Sequence, residues 1–502
     1  MNALDALAEF VQGRQLAGLP PERFDLVKLH ILDTLGALLA GSAMTEGISI
    51  GSLVASGASA QGDSARNPGE RGRAEVASST AHDAASGGVS AELTPRNPAW
   101  RGNPSQTLEY PSRSSLAQAV MAGCAAARCS EIDDIHLSSC TTPGSVIVPT
   151  ALALSLAGEL RTFREFSASV IAGYELLIRL GYAINGPAML QRKLWPTYFA
   201  AAFGSAATAT RAYGLSAEKT AGALATALAF CTGTAITARS PAASRWLTLG
   251  AAASNGVLAA QFARDGLRGD SNLLERYGGR LAGAKVSLRR LLKGLGRRFL
   301  FDEIGTKPYP IARQALAAVE SARELAEAEQ VDISTIEDIL VRVPGAQQTL
   351  IDHPEMPVTR MDSIVSVQYQ IALALVAPER LLDVRRAPPF ADDRLAKLMA
   401  KIRVQHSLEL EKYYPAAWPA RVKVKAGGRQ FSREVLHPRG DASNRFTWDH
   451  AERKFRTIAR PVLGDAGAES LLNCIRRLDA TAETPVLWGF FSGQAAGSAK
   501  IN

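Results

Sequence analysis

Residues 131–153 read EIDDIHLSSCTTPGSVIVPTALA. Two adjacent carboxylates, Asp133 and Asp134, precede Ile135 and His136, and a Pro143-Gly144 break then opens an apolar helix. Polar chemistry is thus gathered at a helix start inside an apolar, Ala- and Leu-rich surrounding. Acid–base work on a carbon acid needs a carboxylate or imidazole beside a group that donates a proton. Adjacent acids at a helix start also serve as plain caps, and a single histidine is often just a satisfied polar residue. Both readings apply to Asp133, Asp134 and His136.

Outward from this stretch the pattern is helical. Before it, Pro21 to Gly41 carries apolar residues at i, i+3, i+4 and i+7, with Pro20-Pro21 ahead and Gly41 near its end. After it, helical periodicity runs almost unbroken to Gly266, with small residues on several faces, so helix axes can approach closely in a compact multi-helix core. From about residue 280 the pattern changes. Short strands are predicted at Ile336–Val343, Ile402–Gln405 and Arg421–Val435, the last folded as a hairpin at Gly427-Gly428. Helices are predicted between them, at Arg313–Glu327 and Asp362–Leu375. The expected fold is mainly α: a helical domain over 1–279, a smaller α+β domain over 280–440, and C-terminal helices over 441–502 that return to the first domain. Residues 56–113 are rich in Gly, Ser, Ala, Asn, Pro and Arg, with too little apolar surface to offset the entropy of ordering, and read as a low-complexity insertion.

The chain has 502 residues, 47% of them hydrophobic, enough for two or more domains with real cores. No apolar run approaches the roughly 18 residues of a membrane span, and the N-terminus lacks the basic start and apolar middle of a secretory signal, so a soluble, cytoplasmic protein is expected. Cys124, Cys129, Cys140, Cys231 and Cys474 are odd in number and form no CxxC pair, which points away from a disulfide framework or a zinc site. The net charge of +8 permits anionic partners. Its densest run, Arg289 to Arg298, has no interleaved aromatics and reads as a solvated face or hinge rather than a nucleic-acid surface. Gly47-Ile48-Ser49-Ile50-Gly51 matches GxSxG, but it follows a helix end rather than a strand. The glycines at 278, 279 and 283 likewise follow no strand, so no dinucleotide loop is expected.

A second polar group stands at Lys307-Pro308-Tyr309-Pro310 with Arg313, which places a cation, a phenol and a guanidinium in one loop at a helix start, a ready carboxylate site. Rigid turn packing accounts for the prolines but not for both charges.

Taken together, FDLVKLHILDTLGALLAG, IDDIH with PGSVIVPTALAL, VIAGYELLIRLG, WPTYFAAAFGSAATATRAYG, GAAASNGVLAAQFARDG, KPYPIAR and HPRGDASNRFTWDHAERKF resemble the MmgE/PrpD family, over most of the chain. The family includes dehydratases, decarboxylases and epimerases of small di- and tricarboxylates. The resemblance implies a helical domain with an α+β lid and a site between them, a homodimer, and chemistry with no cofactor and no metal. It also implies several departures. Ile135 stands where a threonine is usual. Thr142 and Trp195 replace histidines. Arg245-Trp246-Leu247-Thr248-Leu249-Gly250 keeps a cation but loses an imidazole, and Leu316 replaces a further histidine. Arginine clamps a carboxylate bidentately but is a poor proton donor.

The expected catalytic group is therefore Asp133, Asp134, His136, Lys307 and Tyr309, with Arg245, Arg313, Thr142, Trp195, Trp246 and Thr248 around the substrate. The expected function is a cofactor-independent lyase that dehydrates or decarboxylates a small carboxylic acid. The two tryptophans and Ile135 favour, as an alternative, an isomerase or cyclase of a bulkier, more apolar acid, and the lost histidines leave a non-catalytic ligand-binding relative as a third reading.

Overall fold

Ser115 and Thr162 each accept a backbone N–H three residues on, while Gln118 and Glu165 reach back to them, and these two capping boxes start two of the central helices. The computed structural model of the chain describes residues 2–44, 115–231 and 244–484, except 282, 389 and 391. The low-complexity stretch and the GxSxG match lie outside the described residues.

The N-terminal part is built from α1 (Ala3–Gln12), α2 (Pro21–Ser42), α3 (Leu116–Cys129), α4 (Gly144–Leu156), α5 (Phe163–Ala183), α6 (Pro196–Ala212), α7 (Ala217–Ala229) and α8 (Ser244–Arg264). They enclose one large apolar core. The small residues act here through backbone proximity. A Cβ on Gly256 of α8 would lie 2.1 Å from the carbonyl oxygen of Ala202 in α6, and one on Gly250 would lie 2.2 Å from that of Met121 in α3. Helices in such contact cannot be spaced by larger side chains.

The C-terminal part has its own core around a four-stranded mixed sheet. Its strands are β1 (Ile336–Val343), β2 (Ile402–His406), β3 (Ala420–Ala426) and β4 (Arg429–Val435). The order is β2-β1-β3-β4, with β1 parallel to β2 and antiparallel to β3. The hairpin forms where the Gly427-Gly428 pair stands: Ala426 pairs with Arg429, and both glycines have positive φ (54° and 73°), as a tight primed turn requires. Helices α9 (Leu316–Ala328) and α11 (Val367–Val376) share the core of the sheet, while α10 (Arg360–Val365) buries Met361 and Ile364 against Ala122, Cys129 and Trp246 of the helical part. The predicted continuous helix over 362–375 is broken at Ser366, which is extended, caps the Tyr369 N–H and donates its hydroxyl to the His353 carbonyl at 2.6 Å. The side chain offers the backbone an alternative to the helix at that point.

Two long-range ties bring the parts together. Helix α12 (Trp448–Arg477), broken by a kink at Gly464 (φ 70°), packs back against α2. Arg179 of α5, fully buried and paired with Glu175 at 3.0 Å, donates to the carbonyls of Leu291, Lys293 and Arg298, while Glu175 accepts the Phe301 N–H at 2.8 Å. The basic run over 289–298 is thereby docked onto the helical core by its backbone, and its charges point outward. Downstream, the chain is delivered to Glu303, Gly305 and Lys307. Among the described residues no helix is long and apolar enough to cross a membrane.

Candidate functional site

Three segments that are remote in sequence are knit by backbone hydrogen bonds. Ile135 and Gly305 exchange two bonds of 2.8 Å, His136 and Thr141 close the loop between α3 and α4, and the Thr306 N–H donates to the Gly440 carbonyl at 2.7 Å. A left-handed residue at Glu131 (φ 60°) turns the chain out of α3 and another at Cys140 (φ 54°) turns it back towards α4. Residues 131–142, 303–307 and 440–441 therefore meet at one place.

At its base lies a buried charge cluster. Lys307 Nζ is 3.4 Å from Asp133 Oδ1 and donates to the Glu131 carbonyl at 3.2 Å. Arg128 bridges Asp133 (3.0 Å) and Glu131 (2.7 Å), Arg245 is bonded to the other oxygen of Glu131, and the Trp246 indole N–H reaches that oxygen at 3.2 Å. Ser145, in the first turn of α4, donates to Asp133 Oδ2 at 3.0 Å. Burial alone would raise the Glu131 carboxyl, but Arg128, Arg245, Lys307 and Arg360 outweigh it and bring it down to about 2. Lys454 of α12 holds the cluster from below: its ammonium donates to Asp33 of α2 (2.5 Å) and to the carbonyls of Lys307 (2.6 Å) and Ile132 (3.3 Å).

Asp134 faces a different environment. It accepts the Gly144 N–H at 2.8 Å and the Tyr174 hydroxyl at 2.9 Å. Burial, with Asp133 and Asp33 nearby, pushes its carboxyl up to about 8 despite these bonds, so it is largely protonated at neutral pH. His30 lies 3.7 Å from it, and burial brings that imidazole down to about 3. The contact is between two uncharged groups and is not an ion pair. Asp134 is the cap of α4, which fixes the turn that carries Asp133.

His136 points elsewhere. Its Nδ1 accepts the Ser139 N–H (3.3 Å) and stands 2.9 Å from the Ser139 hydroxyl, so Nδ1 carries no proton and Nε2 does. Nε2 lies 3.6 Å from Glu303. Burial raises Glu303, but His136 and Arg298 bring its carboxyl below the usual range. Both line a cleft of about 120 Å³ that Ala416, His437, Asp441, Ala442 and Ser443 also line.

The remaining expected residues divide. Arg313 is buried, bonded to Asp441 and stacked near Trp418 (5.9 Å). Thr142 is buried beside Thr197, whose hydroxyl accepts the Thr142 N–H at 2.9 Å, and Trp195, at the start of α6, packs against Ile135, Cys140, Leu190 and Trp418. Trp246 joins Glu131 as described. Tyr309 belongs to the second core, with its hydroxyl near Arg323, and burial holds the phenol well above its ordinary range. Thr248 bonds the Ser244 carbonyl of its own helix at 2.8 Å. Among the described residues, neither the Tyr309 phenol nor the Thr248 hydroxyl is bonded to the buried cluster.

Sequence reading assigned no role to Glu131, Arg128, Ser145, Lys454, Glu303, His437 or Asp441. Arg128 and Glu131 are three residues apart, and His437 and Asp441 four apart, which is a usable local signal. Nothing local signals Lys454.

Comparison with known proteins agrees with this architecture. The relatives include the cis-aconitate decarboxylase-like protein OryM of Aspergillus oryzae, 23% identical over 394 residues that cover 72% of this chain and 80% of that protein. The MmgE/PrpD N-terminal domain matches residues 96–284 and the MmgE/PrpD C-terminal domain matches residues 309–480. The chain belongs to the MmgE/PrpD family.

Proposed function

We propose that the protein is a cofactor-independent lyase that dehydrates or decarboxylates a small carboxylic acid by moving a proton next to a carboxylate. The observation that carries this reading is the charge balance of the buried cluster. Among the described residues, Arg128, Arg245 and Lys307 converge on the carboxylates of Glu131 and Asp133, while burial pushes the neighbouring Asp134 towards its uncharged form. Cations gathered away from water are costly, and a substrate carboxylate adds to the charge that offsets them. The same cations stabilise the enolate-like charge that develops when the adjacent carbon loses a proton or carbon dioxide.

In this reading Arg245 and Arg313 hold carboxylates, and Lys307, beside Asp133, supplies the positive charge or a proton. The buried phenol of Tyr309 is the weaker candidate acid. A proton NMR time course in D2O with citrate, 2-methylcitrate and cis-aconitate tests it: new alkene signals or loss of a carboxyl group are expected. Turnover unchanged in the Asp133→Asn, Lys307→Ala double variant would remove this site.

A second reading, an isomerase or cyclase of a bulkier acid, is favoured by one feature. Ile135, Cys140, Leu190, Trp418, Trp195 and Tyr414 form an apolar cluster contributed by both parts of the chain, next to the segment that lines the cleft. An acid with an apolar portion suits such a wall. Turnover of tricarboxylates gained by Thr142→His with Trp195→His would make those two positions the determinants of substrate choice.

A further inference from the structure

The cleft described above is lined by two imidazoles, and their surroundings differ. His136 is sealed, and the Ser139 backbone N–H occupies its Nδ1, so it presents a proton on Nε2. His437 is half-buried, with 36% of its side chain exposed, whereas Asp441 beside it is 3% exposed. The ring nitrogen facing Asp441 is Nδ1, at 3.6 Å from Oδ2. The other oxygen of Asp441 is taken by Arg313, which fixes the carboxylate in place. Asp441 Oδ2 is buried and has no hydrogen-bond partner among the described residues, and at 3.6 Å a small rotation of the half-exposed imidazole brings Nδ1 into bonding range; that bond holds the proton on Nδ1 and leaves Nε2 bare.

We propose that His437, oriented by Asp441 and Arg313, is the proton acceptor of the cleft, and that His136 is its neutral hydrogen-bond donor. The proposal deepens the lyase reading and rests on it for the reaction. In a dehydration, His437 Nε2 takes the proton from the carbon next to the carboxylate. The electron pair of that C–H bond forms the double bond as the neighbouring C–O bond breaks, and the imidazolium returns the proton to the departing hydroxide, which leaves as water. His437 ends as it began, and the Asp441 carboxylate stabilises the imidazolium between the two steps. His136, unable to become an imidazolium without losing the Ser139 bond, donates a hydrogen bond to a substrate oxygen and keeps its proton.

The test uses the full chain and two readouts. With cis-aconitate and citrate as probes, His437→Gln is expected to lower kcat by at least about 100-fold with KM changed by less than roughly three-fold, while His406→Gln, an exposed control, leaves both as they are. If His437→Gln keeps kcat within about two-fold of the parent while Lys307→Ala abolishes it, the proposal falls and the lyase reading stands. The second readout needs no turnover. In protein labelled with 15N-histidine, His437 is expected to be protonated at Nδ1 and His136 at Nε2, and Asp441→Asn is expected to shift the His437 population towards the Nε2-protonated form. If the parent protein acts on neither acid, the lyase reading fails, and the nitrogen signals still decide the dyad: a parent His437 protonated at Nε2, or one indifferent to Asp441→Asn, overturns it.

Discussion

Lys454 Nζ, on the last helix, lies 2.6 Å from the carbonyl oxygen of Lys307, and the same ammonium binds Asp33 of α2 at 2.5 Å. One side chain from α12 thus fixes the backbone of the candidate-site lysine, the segment holding Asp133 through Ile132, and the second helix of the fold.

Replacing that ammonium by an apolar group of similar length strands the buried Asp33 carboxylate. Lys454→Met is therefore expected to lower stability by about 3–5 kcal/mol and, in whatever fraction stays folded, to loosen Lys307 and lower turnover. Urea denaturation followed by circular dichroism measures the first effect; a variant as stable as the parent would mean that the contact contributes little.

Asp134 has a raised carboxyl, about 8 against an ordinary 3.8. The sign follows from linkage. Its contribution to stability is complete below about pH 4 and is lost as pH rises through about 8, because the unfolded chain ionises first. Asp134→Asn keeps an acceptor for the Gly144 N–H and removes the titration. The variant is expected to gain stability relative to the parent between about pH 5 and pH 8. Denaturation midpoints at both pH values check this, and a constant difference would contradict it.

Glu131 is the opposite case. Its carboxyl is held at about 2 by the surrounding cations, so its contribution is present above an ordinary 4.5 and lost as pH falls towards about 2. Glu131→Gln leaves Arg128 and Arg245 without their shared counter-charge and should cost about 3–5 kcal/mol at neutral pH. The gap from the parent should narrow on acidification below about pH 4.5, and paired acid titrations of unfolding measure it.

Gly186 begins a short helix next to the His136 loop, and a Cβ there would stand 1.8 Å from the Ser139 carbonyl oxygen. Backbone cannot yield as a flexible side chain does. Gly186→Ala is expected to destabilise by about 1–3 kcal/mol and to displace Ser139, whose N–H sets the tautomer of His136. The nitrogen signals of His136 report the displacement; unchanged signals would show that the loop absorbs the methyl elsewhere.

Most of the secondary structure was legible in the chain because its signals are local. The helical periodicity, the capping residues Ser115 and Thr162 with their partners three residues on, and the Gly-Gly hairpin all act within a few residues. Where a side chain competed with the backbone, as Ser366 does by bonding the His353 carbonyl, the periodicity misled and one predicted helix became two. The candidate site was legible by residue type and only partly by arrangement. Asp133, Lys307 and Arg245 do share one buried cluster, but Asp134 is a neutral cap, and Thr248 bonds its own helix.

Sequence by itself determined that the chain would be mainly helical with a small sheet towards its end, since periodicity, capping and turn chemistry are properties of neighbours. It also determined which side chains were available for chemistry. Only the tertiary structure decided that Asp133 lies among cations while Asp134, one peptide away, is pushed by burial towards its uncharged form, because desolvation and partner distance depend on segments some 40 to 320 residues away: Tyr174 for one carboxylate, Lys307 and the Lys454 staple for the other. It alone brought His136 and His437 to the lining of one cleft.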